Sequence, residues 1–217
     1  MIRIIPLLLF SIMASSTVRA DEQWVLANDS DGIKTYTMTT PGSNLISYKA
    51  VTEIEAPLEV VLEIIRDFSS YPQWYWQCRE CRLVKGDQNR HQQVIYFVSN
   101  TPWPVTNRDM ILFLIQQDDP KTGNTIIVIN SIKDDIVPRK KDCVRVIDCT
   151  GAWNLTRVGK NKTGIQFAIK IDPAGSVPLA LANRTARETP FKTLQGMRQM
   201  LKNDAYYQRA GVAKTQQ

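Results

Sequence analysis

The 217-residue chain predicts an α+β fold: an antiparallel sheet with one helix after its first strands and a long helix at its C-terminal end. Three observations predict it. Runs rich in β-branched residues recur between turn signals over residues 81–172, an apolar stripe at helical spacing follows Ala56-Pro57, and a longer stripe runs from about residue 177 to 203. The connections between successive strands are short, which gives an antiparallel meander, because a parallel pair needs a crossover of about a dozen residues or more.

Taken in order, residues 32–38 and 46–55 alternate in polarity and read as paired strands. Ala56-Pro57 opens the first helix with Pro at a permitted early position, and Leu58, Val61, Leu62 and Ile65 form its stripe, ending near Phe68. Ser69-Ser70-Tyr71-Pro72 breaks it. The rings of Trp74, Tyr75 and Trp76 follow and read as core. Strands are expected over residues 83–85, 91–99, 110–116, 125–132, 144–155 and 165–171, with turns at residues 118–123 and 159–164. In the last element Leu179, Ala182, Ala186, Leu194, Met197 and Leu201 share one helical face. Pro190 lies inside it, so the element is either a kinked helix or two short ones.

Residues 1–20 read as a secretory signal peptide: Arg3 in a short basic start, an apolar run from Ile4 to Met13, and Val18-Arg19-Ala20 ahead of a cut after Ala20. A secreted or periplasmic location follows, with residues 21–217 as a single domain. The 27 Lys and Arg against 21 Asp and Glu leave a modest positive charge spread along the chain, densest at Arg139-Lys140-Lys141, which is weak support for nucleic-acid binding and compatible with an anionic membrane surface. Sequons stand at Asn28, Asn154, Asn161 and Asn183. Cys78, Cys81, Cys143 and Cys149 make an even set suited to disulfides in an oxidising compartment, with three pairings open. The Cys78-Arg-Glu-Cys81 spacing is also that of a thiol oxidoreductase, but it follows a helix where a redox pair normally opens one. A four-cysteine zinc site is disfavoured by the wide second spacing, so no metal is expected.

Catalytic motifs are missing. The chain has no Gly-x-Ser-x-Gly elbow, His-Glu-x-x-His motif, phosphate loop or dinucleotide-binding glycine pattern, and therefore no expected cofactor. Its one histidine, His91, falls at a turn, and the carboxylate pairs Asp118-Asp119 and Asp134-Asp135 sit in turns where they bond local backbone.

The element order resembles the helix-grip architecture of the START lipid-transfer domain family, and three segments carry the resemblance. Pro102-Trp-Pro-Val-Thr-Asn-Arg-Asp109 is similar to the family's loop and Arg-Asp strand start. Tyr71-Pro-Gln-Trp74 followed by Glu80 is similar to the segment after its first long helix, and Asp172-Pro-Ala-Gly-Ser-Val-Pro178, then Leu181 and Asn183, to the approach to its last helix. The resemblance implies a curved antiparallel sheet wrapped around the C-terminal helix, enclosing an apolar cavity for one lipid that is carried between membranes or to a partner.

It further implies a buried acid and base, which by motif position fall on Glu80 and Arg108. On the Arg108 strand a period of two adds Met110, Leu112 and Leu114 to the cavity face, and the last helix contributes Ala182, Ala186 and Leu194. An inward Glu80 would bring Arg82 inward as well unless the strand starts later or carries a bulge. Asp109 is expected to orient Arg108 or backbone. Trp103 between Pro102 and Pro104, with Leu179 on the helix, is the expected gate and transient membrane contact, since a Trp ring favours the interface. The rival readings are a helix-grip cyclase or hydrolase acting on a hydrophobic small molecule, and the thiol oxidoreductase.

Overall fold

The computed structural model describes residues 23–39, 46–87 and 89–214; the expected signal peptide over residues 1–20 lies outside the described residues. Ten strands form one sheet in the order β1 (Val25–Ser30), β2 (Ile33–Thr39), β3 (Ile46–Ile54), β10 (Lys162–Asp172), β9 (Asp148–Gly159), β7 (Thr125–Ser131), β6 (Asn107–Asp118), β5 (Gln92–Ser99) and β4 (Cys78–Gly86), with β8 (Cys143–Val146) also paired to β6. Neighbours along this path are antiparallel. Four helices accompany them: α1 (Leu58–Arg66), α2 (Tyr71–Trp74), α3 (Leu179–Met200) and α4 (Asp204–Arg209). This is the helix-grip arrangement, a sheet whose inner face closes on the C-terminal helix.

The core sits between that inner face and the helices. Helix α1 buries Leu58, Val60, Val61, Leu62, Ile64 and Ile65, more of its surface than one stripe. Trp153 of β9 and Phe167 of β10 stand opposite each other in register and stack at 3.9 Å. Helix α3 passes so close to α2 that a Cβ on Gly196 would lie 2.2 Å from the carbonyl oxygen of Trp74, so only glycine fits there. Helix α3 also runs unbroken through Pro190, which excludes two short helices. The proline is buried, and packing of its ring offsets the missing backbone bond, a loss of about 3 kcal/mol in an exposed helix interior.

Three other details differ from the sequence expectation. Strand β1 was not anticipated, although Asp31-Gly32, both at positive φ, form the two-residue turn that joins it to β2. Residues 144–155 are two strands rather than one. They separate at exposed Ile147, where the Ser131 hydroxyl donates to the Ile147 carbonyl at 2.9 Å and accepts from the Cys149 amide at 3.0 Å. The first of them, β8, runs parallel to β6, with Arg145 opposite Asp109.

That pairing covers the outer face of β5 and β6. There Tyr96, Val98, Ile111 and Val137 form a second apolar cluster under the loop of residues 132–142. Inside it Arg145 donates to both Asp109 carboxylate oxygens, at 3.0 and 2.9 Å, and Tyr96 donates to one of them at 2.8 Å. The two charged side chains are 2% and 1% exposed. Asp109 therefore points away from Arg108 and holds Arg145 and Tyr96, where the sequence predicts Arg108 or backbone as its partner.

Candidate functional site

A cavity of about 140 Å³ lies between the inner sheet face and α3. Strand alternation builds its floor: on β6 the side chains of Arg108, Met110, Leu112 and Leu114 face it, and Ile95 and Phe97 of β5 continue the same surface. Tyr48, Trp153 and Phe167 line it from the other half of the sheet, and Val177, Leu181, Ala182, Thr185 and Thr189 from the α3 side. Tyr75 and Trp76, read as core from the sequence, line the cavity, whereas Trp74 is buried behind them.

Among the described residues, Arg108 is the only charged one that lines the cavity. Its side chain is bound by backbone alone: Nε donates to the Pro173 carbonyl at 3.0 Å, Nη2 to the Ala174 carbonyl at 2.9 Å, and Nη1 to the Thr106 carbonyl. Three of the five guanidinium N–H groups are thereby used, leaving two for a ligand. Burial, with no neighbouring carboxylate to oppose it, holds the Arg108 pKa below the usual arginine value. The same bonds tie together the loop of residues 100–106 and the approach to α3, the two segments that cover the cavity mouth.

Glu80 does not join Arg108. Its carboxylate meets Lys140 Nζ at 2.6 Å and Arg82 Nε at 3.4 Å on the outer side of β4, and it is absent from the cavity lining. The cause is a bulge. Register slips between Cys78 and Glu80, so Cys78 and Cys81 both turn inward and Glu80 turns out. Ala186 and Leu194 are also displaced from the expected site: both are buried in the core, at 7% and 0% exposure, and neither reaches the cavity. The lining positions on α3 are Leu181, Ala182, Thr185 and Thr189, near-i,i+4 spacing that includes two threonines passed over by a search for apolar residues.

Trp103 stands at the tip of the β5–β6 loop, 92% exposed between Pro102 and Pro104, and Leu179 at the start of α3 is 75% exposed. Trp103 is therefore not packed under α3. The loop is shaped by the Thr101 amide donating to Asn107 Oδ1 at 2.9 Å and the Val105 amide to the Pro102 carbonyl at 3.0 Å.

All four cysteines are free thiols, so none of the three disulfide pairings is made. Burial pushes the Cys78 and Cys149 thiols up to about 12 and raises Cys81 further, the opposite of what a redox nucleophile needs. In the native protein at pH 8, iodoacetamide is expected to label Cys143, the one partly exposed thiol, and to leave Cys78, Cys81 and Cys149 unmodified until denaturant is added. Rapid labelling of Cys78 or Cys81, read by mass spectrometry, would restore the oxidoreductase reading. Among the described residues no group of three or more His, Cys, Asp or Glu side chains could hold a metal ion.

Comparison with known proteins agrees with this architecture. The START domain model matches residues 13–205. An uncharacterized protein of Pseudomonas aeruginosa is 32% identical over 179 residues, 82% of this chain and 86% of that one. The mouse phosphatidylcholine transfer protein is 25% identical over 167 residues, 76% of this chain and 77% of that one. Among solved structures, a STAR-related lipid transfer protein fragment from Xanthomonas axonopodis superposes with a TM-score of 0.74 at 29% identity, covering 83% of this chain and 99% of that one. A sheet gripping its C-terminal helix over an apolar, arginine-bearing cavity, together with a family match across most of its length, makes this chain a member of the START domain family.

Proposed function

We propose that the protein binds one lipid with an anionic head group in this cavity and carries it, after secretion or export to the periplasm, between membranes or to a partner. The observation that carries this reading is the lining itself: aromatic and aliphatic side chains around a single buried cation that has no carboxylate beside it. A buried charge is costly unless compensated, so a phosphate or carboxylate brought by a lipid supplies the missing partner while its chain replaces water against Met110, Leu112 and Leu114. The lipid-transfer names of the mouse and Xanthomonas relatives support the ligand class.

The cavity is smaller than the roughly 300–1,000 Å³ of sites that enclose a small ligand, so loading requires the covers to open. Arg108 ties those covers together through three of its N–H groups and offers the remaining two to the ligand anion. At the mouth, Trp103 and Leu179 present apolar surface suited to a transient membrane contact. Trp103→Ala is expected to slow lipid transfer between vesicles about tenfold by removing that contact, while leaving the affinity for a lipid already loaded unchanged; unchanged transfer would remove Trp103 from the mechanism.

The cavity is poorly equipped for catalysis. Its ionisable side chains besides Arg108 are Tyr48, Tyr71, Tyr75 and Cys149, all with pKa values raised by burial, and none is poised near neutrality as a general acid or base should be. His91 is half exposed beside Asp118, outside the cavity. Native mass spectrometry of the protein purified from its own host, with extraction of what travels with it, tests the proposal: a stoichiometric anionic lipid is expected, and bare protein that takes up nothing from mixed lipids would refute it.

A further inference from the structure

Five buried side-chain polar atoms among the described residues have no hydrogen-bond partner: Thr35 Oγ1, Ser47 Oγ, Trp74 Nε1, Trp76 Nε1 and Thr189 Oγ1. Folded proteins satisfy nearly all such atoms, so each exception asks for a reason. Two of the five, Trp76 and Thr189, belong to side chains that line the cavity. They also lie against one stretch of α3. The Trp76 amide donates to Thr193 Oγ1 at 3.3 Å and the Lys192 ammonium sits 3.9 Å over the Trp76 ring, three and four residues along the helix from Thr189. Thr189 is 6% exposed, so bulk water does not serve its hydroxyl.

From this we infer that Trp76 and Thr189 form a second polar station in the cavity, one that receives a carbonyl oxygen. The indole N–H can only donate, and the threonine hydroxyl is able to donate, so their common complement is an acceptor with two lone pairs and no proton of its own. In a lipid that is the ester or amide carbonyl joining the chain to the head. The position agrees with the anion site. Cys78, Ser99 and Arg108 are in register across β4, β5 and β6, so Cys78 lies two strands, about 10 Å, from Arg108, and Trp76, in the turn that leads into Cys78, lines the same cavity as Arg108. A ligand held by its anion at Arg108 and by a carbonyl at Trp76 and Thr189 has its orientation fixed at two points, with the chain left to the apolar floor. The station discriminates acyl lipids from alkyl ones, because an ether oxygen is a poorer acceptor and leaves the buried donors unsatisfied.

This inference rests on the carrier reading, and the test separates the two. The protein is offered an equimolar mixture of 1-oleoyl lysophosphatidylglycerol and its ether-linked analogue of the same chain length, and the bound species are counted by native mass spectrometry. The parent is expected to prefer the ester about tenfold, as two recovered hydrogen bonds imply. Thr189→Val, which keeps the shape of the side chain, and Trp76→Phe, which keeps an aromatic though smaller ring, lose one donor each and are each expected to reduce that preference to about threefold. A parent that carries lipid yet shows no ester preference, or takes neither probe, overturns the inference alone and assigns the two donors to buried water. Variants that keep the full preference overturn the residue assignment. A parent that binds neither probe and no other lipid overturns the carrier reading and the inference with it.

Discussion

Asp109→Ala is expected to destabilise the protein by about 3–5 kcal/mol, lowering the thermal midpoint by roughly 10 °C. The Asp109 carboxylate accepts two bonds from Arg145 and one from Tyr96 where neither charge reaches water. Deleting it leaves a guanidinium buried among Tyr96, Ile111 and Val137 with only backbone oxygens and the half-exposed Asp135 carboxylate at 3.2 Å to answer it. Urea unfolding followed by circular dichroism measures the loss. Replacing the pair together, Asp109→Leu with Arg145→Met, should recover much of it, since well-packed apolar side chains often match a buried ion pair. A cost below about 1 kcal/mol for Asp109→Ala would show that the outer cluster is open to water. The effect also bears on ligand binding. A side chain period of two means that Asp109 held on the outer face keeps Arg108 on the inner one, and a one-residue slip would exchange them.

Arg108→Leu is expected to abolish the preference for anionic over neutral lipids, lowering affinity for the anionic ligand by about ten- to hundredfold, the range for losing charge-assisted hydrogen bonds. Uptake of a matched pair, one anionic and one uncharged lipid with identical chains, reads the change directly. The same substitution frees the carbonyls of Thr106, Pro173 and Ala174, so hydrogen exchange should rise in residues 100–106 and 173–185 as the covers lose their common tie. Retained selectivity would remove Arg108 as the head-group contact. Retained protection of both covers would remove it as their clamp.

Much of the architecture is legible before any coordinates. Turn residues at 118–123 and 159–164 delimit strands that the structure places within a few residues, and the β6 alternation correctly sets Arg108, Met110, Leu112 and Leu114 on one face, because strand geometry allows nothing else once one of them is inside. The exposure of Trp103 is not legible in this way: the sequence suits a loop tip and a ring packed under the last helix about equally, and only the structure decides for the first. Strand β1 was available too, since Asp31-Gly32 is a strong hairpin signal that the weak alternation of residues 25–30 concealed.

The errors fall where long-range structure decides. The motif resemblance places Glu80 inward, but the extra residue between Cys78 and Glu80 turns Glu80 outward relative to the inward Cys78, and a bulge has no reliable mark in local sequence. Ala186 and Leu194 lie on the apolar side of α3, yet which part of that side meets the cavity and which meets the core depends on how close α3 approaches α2 at Gly196. The partner of Asp109 lies 36 residues away on a parallel strand, and no pattern near Asp109 points to Arg145.

Periodicity and turn chemistry, properties of neighbours along the chain, determined the α+β fold class and the shared face of β6, while the resemblance of the Arg-Asp strand start to the family's placed Arg108 in the cavity. The tertiary structure alone decided that, among the described residues, no acid stands beside this cation, that the cysteines are unpaired with three of them buried, and that Trp76 and Thr189 both line the cavity. Each of those depends on which distant segments exclude water from the same place, and burial is a property of the packed whole.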